Sequence, residues 1–288
     1  MLNLDDSLWV KLGNASGHRD IPARLQNLSQ SWDEEAAISL FYDDLCHQQT
    51  CYGSTYAAIP HLLEIAKPAP NVHQRLEIAP FLGHVVLCAT NPKLGQGADN
   101  LPPGLEPLGD DTDKAKIETI RREFFDALTT IRALCQTAFH ENIDDPYAPL
   151  HLLAGIAAAD RLQGLADLME SGQDGVLSCS SCGWQYEYLL FADRVALYAE
   201  QHEPGTVYGL SPADDPGLQD YKAGAPTRAD GFLLPISGAD DITDSRIKAL
   251  YELAAKAPDP KLTLLLRHFL GTFTCVKCNK AAQIEGVY

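Results

Sequence analysis

The chain has little positive charge to set against its acid. Its 22 Lys and Arg face 39 Asp and Glu, for a formal net charge of −17. A surface of that sign repels a continuous phosphate backbone and so argues against a nucleic-acid partner; it attracts and steers a basic protein. Long apolar runs are missing too. No stretch reaches the roughly 18 residues that a membrane-spanning helix needs. The N-terminal MLNLDDSLWVKLG has neither the basic start nor the apolar stretch of a secretory signal. The expectation is a cytoplasmic protein with no membrane partner. No Gly-x-Gly-x-x-Gly, Walker loop, His-Glu-x-x-His or Gly-x-Ser-x-Gly is present either, so no catalytic residue is assigned from motifs.

What the sequence does have is helical periodicity. Ser31 and Glu34 stand in capping-box spacing ahead of Ala36, Ala37, Leu40, Phe41 and Leu45 on one face. Tyr52-Gly53-Ser54 reads as a turn and a new cap, followed by Ile59, Leu62, Leu63 and Ala66. Residues 71–90 give a third helix. Pro60 and Pro80 fall inside these two patterns and predict kinks or late starts. After a Gly- and Pro-rich loop over 91–113 comes the longest helix, about 112–139, and then helix again over 146–170 with a break near Gly164. Val176-Leu177 and Trp184 to Tyr188 read as two short strands, and a helix is expected from there to about Gln201. Residues 203–245 form a long acidic loop, and two helices near 243–257 and 259–270 close the pattern. The predicted class is mainly α: a single domain over 1–288, with helices in antiparallel pairs as an α-solenoid requires. Ala58 to Leu63 faintly echo Ala148 to Leu153, as repeats would.

Two Cys-x-x-Cys pairs carry the strongest chemical signal. They are Cys179-Ser-Ser-Cys182-Gly183 and Cys275-Val-Lys-Cys278-Asn279. Two residues between cysteines let both sulfurs face one tetrahedral ion, and a small residue after the pair relieves the tight turn. One such pair also suits redox chemistry, but two beside strand-like sequence favour metal. The predicted ligands are Cys179, Cys182, Cys275 and Cys278, and the predicted cofactor is Zn2+. Four protein ligands leave no position for water, so the ion is structural. The knuckle is built from 172–190 and 271–288, far wider than the about 15–20 residues that separate the pairs of a local ribbon.

Other candidates are weighed as packing residues. Cys46, Cys51, Cys88 and Cys135 read as buried small hydrophobes. Cys46-His47-Gln-Gln-Thr-Cys51 offers a second metal site or a Cys/His pair, but neighbours in sequence diverge and a hydrogen-bonded turn between helices is preferred. His61, His84, His151 and His268 lie in apolar helical patterns and read as packing histidines. The adjacent carboxylates Asp43-Asp44, Asp144-Asp145 and Asp240-Asp241 read as caps and solvated turns.

Residues 32–66 resemble a group of bacterial HEAT-like repeat proteins. Trp32, Leu45 to Tyr52 and Ala57 to Leu63 carry the resemblance. Those proteins show a His-Gln-Gly-Thr-x-Tyr-like turn between two helices and then a proline-containing helix; here Gln49 stands in place of the glycine. Leu270 to Cys278 are similar to the Cys-x-x-Cys that closes their helical array. The resemblance implies a HEAT-like α-solenoid and no catalytic residues. Some of the group look like immunity proteins paired with bacterial toxins, so the resemblance implies a protein partner, and the acidic surface suits a basic toxin. Alternatives from the residues are an enzyme with a site between helices near His47 and Asp43, a HEAT-like scaffold, and a DNA-repair protein that the net charge opposes.

Overall fold

The computed structural model describes residues 1–17, 20–67, 72–90, 105, 111–141, 148–172, 174–190, 193–199, 230–257 and 259–287. It is mainly helical, with small antiparallel sheets. The chain divides into two compact units, Met1–Ala166 and Asp167–Tyr288.

The first unit is built from helices. α1 (Ile21–Gln30) buries Ile21, Leu25 and Leu28, a clean helical stripe that lies ahead of the predicted start at Ser31. Ser31 closes α1, its N–H donating to the Asn27 carbonyl at 2.8 Å. Asp33, two residues on, is the cap of α2 (Glu34–Ile38), accepting the Ala36 N–H at 3.0 Å. Asp33 therefore does the job predicted for Ser31. The helix then widens into a π turn over Ser39–Leu45. A hairpin follows, β1 (Cys46–His47) and β2 (Thr50–Cys51), with Cys46 opposite Cys51. α3 (Gly53–Ala66) and α4 (Val72–Thr90) continue through Pro60 and Pro80. α5 (Asp111–Phe139) and α6 (Ala148–Ala159) complete the set.

These helices pack in a regular pattern. α1 lies on α2, α3 on α4 and α5 on α6; in addition α1 lies on α3 and α3 on α5, while α2 lies on α4 and α4 on α6. α4 also lies on α5. α4 and α6 approach most closely at Gly83 and Gly155, where a Cβ on Gly155 would stand 2.6 Å from the Gly83 Cα. Asp44 is buried in this unit and held by Arg24 and by the Ser16 hydroxyl. The adjacent Asp43 is exposed. The expectation of two solvated carboxylates is therefore wrong for Asp44.

The second unit holds a four-stranded antiparallel sheet in chain order: β3 (Asp174–Ser178), β4 (Gln185–Leu190), β5 (Val195–Ala199) and β6 (Gly231–Leu233). β5 overturns the helix expected up to Gln201. All five of its residues are buried, and a short run buried on both faces has no period that distinguishes strand from helix. β6 likewise orders part of the predicted acidic loop. One sheet face, carrying Leu177, Tyr186, Tyr188, Leu197 and Leu233, is core. Tyr188 meets Phe269 edge-on, and its hydroxyl donates to the Leu168 carbonyl at 3.2 Å. α7 (Gln163–Ser171) enters the unit. α8 (Ser245–Ala254), α9 (Pro260–Phe269) and a last hairpin, β7 (Phe273–Thr274) with β8 (Ala281–Ala282), complete it. No helix among the described residues is long and apolar enough to cross a membrane.

Candidate metal centre

Cys179, Cys182, Cys275 and Cys278 come together in the second unit, with their four sulfurs all within 4.8 Å of one another. The two knuckles are built alike. Each sits between two antiparallel strands, β3 and β4 for the first, β7 and β8 for the second. In each, the leading cysteine donates its N–H to a carbonyl five residues on: Cys179 to Trp184 at 2.9 Å, Cys275 to Lys280 at 3.0 Å. In each, its own carbonyl accepts from the residue four on, Gly183 or Asn279, at 2.8 Å. Both of those residues are left-handed, with φ of 70° and 52°. Glycine reaches that region without a Cβ penalty and asparagine is among the side chains that tolerate it, which explains why these two follow the cysteines.

The knuckles are tied to each other by backbone. Cys179 bridges Ile284, the Ser180 N–H donates to Gln283 at 3.1 Å, and the Glu285 N–H donates to Ser178 at 2.9 Å. The Lys277 ammonium lies over the Trp184 ring, 4.7 Å from its centroid, and so links the two turns from outside. Cys179 and Cys275 are fully buried, Cys278 is half-buried and Cys182 is exposed.

The two pairs differ in how their surroundings treat a thiolate. Burial alone would raise the Cys275 thiol. The Tyr186 hydroxyl, donating to its sulfur at 3.1 Å, and the N–H groups of Cys278 and Lys277 outweigh this and bring it down to about 6. At Cys182 the Trp184 N–H favours the thiolate, but desolvation and the three neighbouring sulfurs outweigh it and push the thiol up to about 12. Such an arrangement can bind a metal with four sulfurs, and no ligand position is left over for chemistry.

The remaining candidates separate. His61 and His268 are packing histidines, as expected: His61 Nε2 lies 2.9 Å from the Leu2 carbonyl and His268 Nδ1 lies 2.8 Å from that of Leu264. His47 is exposed, with Nδ1 3.1 Å from the Tyr42 carbonyl, and it does not join Cys46 and Cys51. His84 is the exception among the helical histidines. Its ligand nitrogen gathers with the sulfurs of Cys46 and Cys88, all within 4.8 Å. The sequence carried one signal of this, the spacing His84-x-x-x-Cys88, which puts both side chains on one helix face. Asp144 and Asp145 lie outside the described residues.

Nothing among protein-family models, curated proteins or solved structures matches the chain.

Proposed function

We propose that this protein acts by binding another protein, as an immunity protein that neutralises a basic toxin, and that the four-cysteine centre holds one structural Zn2+. The observation that carries the binding reading is the pairing of α1 with α2, α3 with α4 and α5 with α6, each pair packed on the next. Successive helix pairs packed layer on layer are the pattern of a HEAT-like α-solenoid, and such arrays work through extended binding faces. The net charge of −17 supports a basic partner, because complementary charge speeds encounter. For the metal, the Cys182 and Cys275 sulfurs lie 3.7 Å apart. Ligands at about 2.3 Å from a tetrahedral zinc stand about 3.8 Å from each other, so the spacing fits.

Acidic side chains differ in their freedom to meet a partner. Asp244 caps α8 and pairs with Arg246, and Asp241 accepts the Ser237 and Gly238 N–H groups. Asp240 is exposed, with only a 3.8 Å contact to Lys248. Asp214, Asp215 and Asp220, the other acidic group suggested by the sequence, lie outside the described residues. Co-expression tests the reading: a toxic product of an adjacent gene should become harmless when this protein is present, and the complex should weaken as salt is raised. Survival unchanged by the protein, for every neighbouring product that is toxic, sinks it.

A further inference from the structure

In the helical unit the ligand atoms of Cys46, His84 and Cys88 lie within 4.8 Å of one another, and Cys51, outside that group, has its sulfur beside that of Cys46. The β1/β2 hairpin presents Cys46 and Cys51 as a direct cross-strand pair. Its two-residue loop, Gln48 and Gln49, has φ of 49° and 63°, the left-handed pair that a tight type I′ turn needs. Next to such a loop the His47–Thr50 pair takes the close hydrogen bonds. Cys46 and Cys51 are then the following, non-hydrogen-bonded pair, where side chains stand nearest. Their sulfurs lie 3.1 Å apart. α4 supplies the other two groups. His84 and Cys88 are one turn apart on a single face, with His84 Nε2 3.5 Å from the Cys88 sulfur. Cys46, Cys51 and Cys88 are each 4% exposed or less.

We propose that Cys46, His84 and Cys88 form a second metal site, for a borderline-soft divalent cation such as zinc, with Cys51 moving in beside Cys46 as the fourth ligand. A hairpin pair facing a helical i, i+4 pair supplies four ligands from two rigid elements, which is how a small tetrahedral site is preorganised. The sulfur–nitrogen spacing already suits two ligands of one tetrahedral ion. Cys46 and Cys51 sit closer than the about 3.8 Å such an ion imposes on two sulfurs, so metal binding would part them by a fraction of an ångström. The Tyr56 hydroxyl is fully buried beside Cys51, Cys46 and Cys88, with no oxygen or nitrogen to bond and the Cys51 sulfur the nearest acceptor. A metal-bound thiolate gives that hydroxyl an acceptor, the part Tyr186 plays towards Cys275 in the other centre. Cys135 shows what a packing cysteine looks like in the same unit: it is solitary, donates to the Ala79 carbonyl at 3.3 Å and fills space beside Gly83 and Gly155. The four-residue cluster has none of that isolation. The inference does not depend on the partner or on the first centre.

The test is metal stoichiometry on the full chain, purified reduced and without chelator. Two equivalents of zinc are expected, falling to one in Cys88→Ser and in His84→Leu. His84→Cys, which keeps a ligand at that position, should hold two. Cobalt loading should give thiolate charge-transfer absorption that Cys275→Ser halves rather than abolishes. One equivalent lost with Cys275→Ser but unaffected by Cys88→Ser overturns the second site while leaving the first. One equivalent lost with Cys88→Ser and unaffected by Cys275→Ser does the reverse. Should Cys88→Ser fail to fold, the wild type and His84→Cys still decide: a Cys46–Cys51 disulfide found by mass spectrometry alongside a single metal equivalent overturns the proposal.

Discussion

Asp43 and Asp44 are neighbours with opposite surroundings, and a substitution at each separates them. Asp44 is 1% exposed and paired with Arg24. Asp44→Ala would strand a largely buried guanidinium and should cost on the order of 3 kcal/mol in denaturant unfolding. Asp43→Ala should stay within about 0.5 kcal/mol, as exposed sites do. Equal effects would mean that the pair is solvated after all. Nothing local in the sequence tells the two apart, because what distinguishes them is Arg24 and Ser16, 20 and 28 residues away. Cys179 and Cys182 were legible for the converse reason, since their spacing and the following Gly183 are a local instruction. His84 falls between: its i+4 relation to Cys88 is written in the helix, but Cys46 and Cys51 reach it only through the fold.

Among the elements, long helices were the easiest to anticipate. α5 keeps a helical apolar stripe, Ile117, Ile120, Phe124, Leu128, Ile131, over many turns, and a repeated period leaves no rival reading. β5 was missed because five buried residues in a row carry no period at all. α1 was passed over although its stripe is regular, because ten residues holding only three buried apolar side chains make a weak signal. The junction of α4 and α6 could not be read from sequence either. Gly83 and Gly155 look like helix weakeners until the two backbones are seen to touch. In an isolated helix Gly155→Ala would stabilise by roughly 1 kcal/mol. Here its Cβ meets the Gly83 backbone, and overpacking of that kind costs about 1–3 kcal/mol. The variant should therefore melt below the wild type, and a rise in melting temperature would show that the helices can separate without loss.

For the whole molecule, the division into two units gives the first centre a bounded task. The four clustered cysteines and every strand from β3 to β8 belong to the unit Asp167–Tyr288. Since a structural zinc contributes folding free energy, Cys275→Ser should release one equivalent and destabilise that unit selectively. Hydrogen exchange checks this: amide protection should fall in β3, β4, β7 and β8 and persist in α3 to α6. Uniform loss across the chain would contradict it. The sequence brought the four cysteines of the first centre together and placed most helices, but it did not mark the division into two compact units. The sheet that gives the second unit its own core runs through β5 and β6, the segments read as helix and loop.

The separation of the two knuckles also sets a clock. Cys182 and Cys275 are 93 positions apart, and protein synthesis proceeds at about 5–20 residues per second. The first two thiols therefore leave the ribosome roughly 5–20 s before their partners exist. During that interval Cys179 and Cys182 can hold an ion only with borrowed ligands, and β3 and β4 lack the β7/β8 hairpin that completes the centre. The stacked helices need no such wait, because each pair finds its neighbour within a short stretch of chain. A nascent chain halted between the knuckles should carry a formed helical unit ahead of an open pair of thiols, exposed to whatever oxidant or metal reaches it first.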